Sequence, residues 1–262
     1  MILLGHELKA NVKSLLIWSL TIAVCSAGLV LMFESVADGM KDVAASFSQM
    51  GDFSKAFGMD KLNISTLNGY YATEVARIIT IGGAMYAALI GISILSKEEE
   101  EHTAEFLYTF PRRRSYILVW KYMSLLVLLL FFNLITTGAE VVSFFFVDGK
   151  IDMEDFAVYH ALTLLMEIEI ASFCFLLSAF NKRRQVGLAM GIAIIAYLAD
   201  IMCRIVPDIE FIKYLTPFYF SNVADIFSHA DLEFIGIGVA VLVTVISYLL
   251  ALTINSRRDL KV

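Results

Sequence analysis

Two kinds of residue in this chain could do chemistry: an unbroken run of acids with an arginine cluster behind it, and single ionisable groups set inside long apolar runs. Glu98, Glu99, Glu100 and Glu101 are consecutive, Glu105 follows a turn later, and Arg112, Arg113 and Arg114 come after Pro111. Paired glutamates beside a membrane can serve an embedded protease, but that chemistry needs the pattern E-E-x-x-x-R. No arginine stands at that spacing after any pair among Glu98 to Glu101. A phosphate-binding loop of the form G-x-x-x-x-G-K-[ST] occurs nowhere, so ATP hydrolysis has no machinery here. His6, His102, His160 and His229 are scattered along the chain. Cys25, Cys174 and Cys203 sit in apolar runs without ligand spacing, as small packing residues do. No metal centre, no cofactor and no enzyme are expected.

The acidic run makes better sense as a binding surface. On a helix Glu98, Glu101 and Glu105 share one face, while Thr103, Phe106, Leu107 and Phe110 share another. Pro111 disfavours helical geometry at Phe110 and ends the element before the arginines. A short amphipathic helix, a proline break and a basic cluster read as a protein-binding hairpin.

The isolated charges are Arg77, Glu140, Glu167, Glu169, Asp200 and Arg204. An ionisable group in mid-bilayer costs about 2.5–3.5 kcal/mol on insertion scales, so such groups are paired or functional. Glu167 and Glu169 point about 200° apart on a helix and cannot face one site. Arg77, Glu140, Asp200 and Arg204 fall in the outer half and are expected either to pair with one another or to line a polar path for substrate.

The elements that must position these groups are membrane spans. The chain has 262 residues, 59% of them hydrophobic, with a mean hydropathy of +0.75. A span needs about 20 mostly apolar residues. Six stretches qualify, at about 15–33, 74–96, 116–147, 157–180, 186–206 and 233–254. They leave room for a single transmembrane domain over 1–262 and no soluble one. The net charge of −6 is spread over loops and does not point to nucleic acid. With the N-terminus inside, the inner segments hold 13 basic residues and the outer ones 6. That bias predicts a cell-membrane protein with both termini cytoplasmic.

Several connecting segments carry patterns of their own. Residues 2–14 place Ile2, Leu3, Leu4, Leu8 and Val12 on one side and His6, Glu7, Lys9 and Lys13 on the other, which predicts an interfacial amphipathic helix. In the outer segment 34–73, Val36, Met40, Val43, Phe47, Met50 and Phe57 recur with helical period. Span 2 is rich in small residues (Gly82, Gly83, Ala84, Ala87, Ala88, Gly91), which predicts close packing against protein and a contact with a second subunit. Residues 207–231, with two prolines and the cluster Phe218, Tyr219 and Phe220, predict short re-entrant or surface helices on the outer side.

The hairpin pattern Glu100, Thr103, Glu105, Phe106, Leu107, Pro111 and Arg114 resembles the first cytoplasmic loop of type-2 ATP-binding-cassette permeases. The stretch HELKANVKSLLIWSL resembles the amphipathic helix and first span of that family, and LTPFYF (215–220) its outer-loop signature. His102 departs from a glycine common at that position. The resemblance implies an all-α integral membrane protein of six transmembrane helices, with a cytoplasmic coupling helix in the loop 97–115. It implies a dimer with a second permease chain, like or unlike, surrounded by lipid and docked on two copies of an ATPase subunit that binds ATP and Mg. The coupling residues would be Glu98, Glu101, Thr103, Glu105, Phe106, Leu107, Arg112 and Arg114. Arg77, Glu140, Glu167, Glu169 and Asp200 are then the candidates for a substrate path. The aromatic and methionine-rich outer segments fit export of an amphipathic peptide, antimicrobial compound or lipid. A membrane anchor or sensor subunit, and a secondary transporter, are the alternatives.

Overall fold

The computed structural model describes residues 2–40, 51, 54, 61–101, 113–181, 183–230 and 234–257. Among them every regular element is a helix. Six helices are long and apolar enough to cross a membrane: Leu3–Leu31, Leu67–Glu100, Arg114–Phe144, Met153–Phe180, Val186–Ile205 and Phe234–Asn255. They are spans 1 to 6 below. Most of the outer segment, including Val43, Phe47, Met50 and Phe57, lies outside the described residues.

Span 2 is the core of the bundle. It packs most closely on span 4 and also touches spans 1, 3 and 5, while span 1 lies along span 3 and span 6 along span 4. The small residues explain this placement. A Cβ on Gly82 would lie 2.3 Å from Ile22 of span 1, and one on Gly91 would lie 2.4 Å from the carbonyl oxygen of Ala171 in span 4. The expected close packing against protein is therefore present. Its expected partner is corrected: the small-residue face meets spans 1 and 4 of the same chain, not a second subunit. Large apolar side chains are exposed instead on span 1 (Leu16, Ile17, Leu20), span 5 (Ile195, Leu198, Met202) and span 6 (Leu242, Val245, Leu249).

The close approach at Gly91 makes a prediction. Gly91→Ala must push spans 2 and 4 apart, because its Cβ would meet backbone and also lie 2.9 Å from Cys174 Cβ. The expected loss is about 1–3 kcal/mol. Gly138→Ala, where no atom stands within 4 Å, should be neutral or slightly stabilising. Thermal unfolding in detergent compares the two, and equal melting temperatures would contradict this packing.

Local signals set the helix ends. Thr66 caps span 2 by accepting from the Gly69 amide at 3.2 Å. One π-helical stretch, Tyr71–Val75, follows before regular α-helix resumes at Ala76. Asp152 caps span 4 by accepting from the amides of Glu154 and Asp155. Between spans 5 and 6 the predicted short helices are present as a 3-10 helix, Pro207–Leu215, and an α-helix, Val223–Phe227. Phe211 and Leu215 are exposed on the first, while Ile226 and Phe227 are buried under the second.

Span 1 differs from expectation. Residues 2–14 do not form a separate interfacial helix; one helix runs Ile2–Leu31. At 1.5 Å per residue it is about 45 Å long, so its first turns extend past the hydrocarbon layer. Glu7, expected to face water, is 1% exposed.

Candidate functional site

Glu7 is buried because two lysines from other helices reach it. Lys97 Nζ, in the last turn of span 2, lies 2.6 Å from Glu7 Oε2. Lys121 Nζ, two turns into span 3, lies 2.6 Å from Glu7 Oε1 and 2.8 Å from Glu98 Oε1. It also donates to the Ile94 carbonyl oxygen at 3.0 Å. An ammonium has three N–H donors, and here three acceptors take them. Two acids and two bases leave the cluster neutral, which is what makes a buried lysine (Lys121, 1% exposed) tolerable.

This cluster forms the base of the acidic hairpin. Span 2 ends at Glu100 and span 3 begins at Arg114, so Lys97, Glu98 and Lys121 flank the connecting residues on both sides. A second tie lies on the surface. Arg184, in the turn between spans 4 and 5, donates from its backbone N and its Nε to Glu100 Oε2 at 2.8 and 3.1 Å. Its guanidinium also reaches Glu101 Oε1 at 2.9 Å. Ser178 Oγ, near the end of span 4, accepts from the Ser96 amide at 3.1 Å. The start of span 1, the ends of spans 2 and 4, the start of span 3 and the 181–185 turn thus meet at one end of the bundle.

The residues expected to couple the chain to a partner divide accordingly. Glu98 belongs to the buried cluster, Glu101 holds Arg184, and Arg114 opens span 3, half-buried. The resemblance directs Glu98 and Glu101 at a partner, whereas both, with Glu100, already hold basic groups of their own chain. Thr103, Glu105, Phe106, Leu107 and Arg112 lie outside the described residues.

The intramembrane charges do not form one constellation. Arg77 and Asp200 line a cavity of about 40 Å³ with Thr80, Tyr197, Ser221 and Asn222. Asp200 accepts from Arg204 Nε and Nη2 at 3.1 and 3.2 Å, and Arg204 Nη1 reaches Asp225 Oδ2 at 2.9 Å. Lys61 closes the chain on Asp225 Oδ1 at 2.5 Å. Burial works against the charge of Asp225, but the adjacent Arg204 and Lys61 outweigh it and hold that carboxyl below its usual range. The expected ion pairing is thus present between Asp200 and Arg204 but does not extend to Glu140. Its Oε2 takes the Tyr71 hydroxyl at 3.0 Å and stands 3.1 Å from His160 Nε2. Glu167 accepts from Asn133 of span 3 at 2.5 Å. Glu169, two positions on, is buried on another face.

Glu7, Lys97, Arg184, Asn133, His160 and Tyr71 escaped sequence reasoning as members of sites. One signal was available: Asn133 and Glu140 are seven apart, as are His160 and Glu167, so each pair occupies one helix face. Among the described residues no group of three or more His, Cys, Asp or Glu could hold a metal.

The family model described as "ABC-2 family transporter protein" matches residues 1–260. No curated protein matches the chain.

Proposed function

Because the chain belongs to the ABC-2 family of transporter proteins, and is thus the transmembrane permease of an ABC transporter, we propose that it is the pathway-forming subunit of an ATP-driven exporter. In this reading it works as a dimer with a second permease chain, on two copies of a separate ATPase that binds ATP and Mg. The observation that carries the reading is the buried Glu7–Lys97–Lys121–Glu98 cluster under the acidic hairpin.

The mechanism follows from what the cluster connects. The segment carrying Thr103, Glu105, Phe106 and Leu107, which its sequence pattern predicts as a helix, would seat in a groove of the ATPase, with Arg112 and Arg114 following it in the chain. A rigid-body movement of the ATPase then moves the ends of spans 2 and 3 together. Glu7 binds a lysine from each of those spans, so span 1 moves with them. Arg184 extends the tie to the turn between spans 4 and 5. Packed helices joined by short ion pairs shift as a unit, and an alternating pathway needs that behaviour. Arg77 and Asp200 beside their cavity, and Glu140, Glu167 and Glu169 deeper in the bundle, are the groups of this chain nearest to such a path. The cargo we favour is amphipathic, a membrane-active peptide, antimicrobial compound or lipid. Exposed Phe211, Leu215 and Phe234 at the outer end of the bundle fit release beside an apolar surface.

Orientation provides the test of this reading. With both termini and residues 97–115 in the cytoplasm, an impermeant thiol reagent on intact cells should label Asp148→Cys but not Ser256→Cys, each placed in a chain whose own cysteines are replaced. The reverse pattern would put the hairpin outside, away from any ATPase, and end the proposal.

A further inference from the structure

The polar groups between spans 3 and 4 lie on two levels. Seven residues separate Asn133 from Glu140 and His160 from Glu167, about 10.5 Å along each helix. Because consecutive spans run antiparallel, the two steps come into register. At the outer level Glu140 Oε2 meets Tyr71 Oη and His160 Nε2, and His160 Nδ1 lies 3.0 Å from Thr137 Oγ1. At the inner level Glu167 Oε2 accepts from Asn133 Nδ2. Tyr159 stands between them, donating to the Ala76 carbonyl oxygen at 2.8 Å, with its hydroxyl 2.9 Å from Thr80 Oγ1.

Glu167 falls at the midpoint of span 4 and is 0% exposed. Its one hydrogen-bond donor is a neutral amide, and its Oε1 is buried with no partner among the described residues. That oxygen points at Gly83, where an added Cβ would lie 2.0 Å away. The titratable groups facing Glu167 are Tyr86 from span 2 and Tyr159 from its own helix; span 3 presents Asn133 and, one level out, Glu140. Among the described residues no cation faces Glu167. An ionised carboxylate in such a place would face a desolvation cost of many kcal/mol, and the group takes up a proton instead. Glu140 Oε1, also buried and without a partner among the described residues, repeats the motif one level out, where His160 can hold the proton.

We propose that Glu167 is a proton-binding site at mid-membrane, which exchanges its proton with water through the Glu140–His160 level. Release leaves a carboxylate at Glu167 and places one proton on the outer pair, from which water removes it; uptake reverses both steps. The proposal does not depend on the ATPase reading.

Infrared spectroscopy of the full chain in lipid nanodiscs tests it. A protonated-carboxyl C=O band should be present, should shift after transfer to deuterated water, and should vanish in Glu167→Gln. The variant keeps an acceptor for Asn133 and should fold, as a single size-exclusion peak checks. If it does not fold, Asn133→Leu supplies the same test: loss of the amide donor should move the band to higher wavenumber. In Glu140→Gln with His160→Gln, deuterium exchange of the band should slow by about tenfold or more. Identical wild-type and Glu167→Gln spectra in that region, or an Asn133→Leu band that does not move, would mean that Glu167 is not the bound acid. A band that never shifts in deuterated water, or one exchanging equally fast in the double variant, would overturn the exchange route.

Discussion

Glu7→Leu is expected to cost the protein about 3–5 kcal/mol, the usual consequence of removing one partner from a buried ionic cluster. The variant leaves Lys97 and Lys121 side by side, with Lys121 1% exposed and holding only Glu98 and the Ile94 carbonyl. Lys121 is enclosed among spans 1, 2 and 3, whereas 11% of the Lys97 side chain is exposed. Thermal unfolding of the detergent-purified chain measures the loss, and a melting temperature equal to wild type would show that the cluster stabilises nothing. A second variant separates stability from transmission. Replacing Glu7 by Leu together with Lys97→Met, Lys121→Met and Glu98→Gln removes all four charges of the cluster and fills most of their space with apolar atoms. Such replacements are often neutral or stabilising, so this variant should melt near wild type. It should still bind the ATPase through the hairpin. Stimulation of ATP hydrolysis should nevertheless fall, because span 1 is no longer tied to the spans the hairpin moves.

Where local pattern sufficed, the fold could be read from the chain. All six spans were visible as apolar runs of membrane length, and the glycines and alanines of span 2 marked it as packed against protein. What local pattern cannot show is rotation and long-range pairing. Span 1 was expected to begin near residue 15, because Glu7, Lys9 and Lys13 read as a polar stretch. Instead one helix runs on from Ile2 through that stretch, with Glu7 neutralised by lysines 90 and 114 positions away. The same limit applied to Glu140. Arg77 and Arg204 were its expected partners by depth, but the helix rotations turn it towards His160 and Tyr71. His160 is one of four histidines scattered along the sequence, and spacing alone does not mark it. Span 2's small residues, read as a subunit contact, are used within the chain, and only the distances to Ile22 and Ala171 decide that. The hairpin was the most specific pattern in the sequence. The structure adds the base beneath it, where Glu98 and Glu101 are held by the chain's own cations.

Phe106→Ala and Glu105→Lys are expected to weaken docking by about tenfold or more while leaving the bundle intact. A buried aromatic anchor at an interface costs about 2 kcal/mol or more when truncated, which is about thirtyfold in affinity. Reversing Glu105 places like charges opposite each other across the contact, so its loss should be at least as large. Neither residue lies in a membrane span, so both variants should insert and melt like wild type. The decisive measurement is made on affinity-tagged permease expressed with its ATPase: the amount of ATPase retained, and the ATP hydrolysis that the permease stimulates. Wild type should show both, and the two variants much less of each. Full retention and full stimulation in both variants would contradict the claim that this hairpin couples the permease to its ATPase.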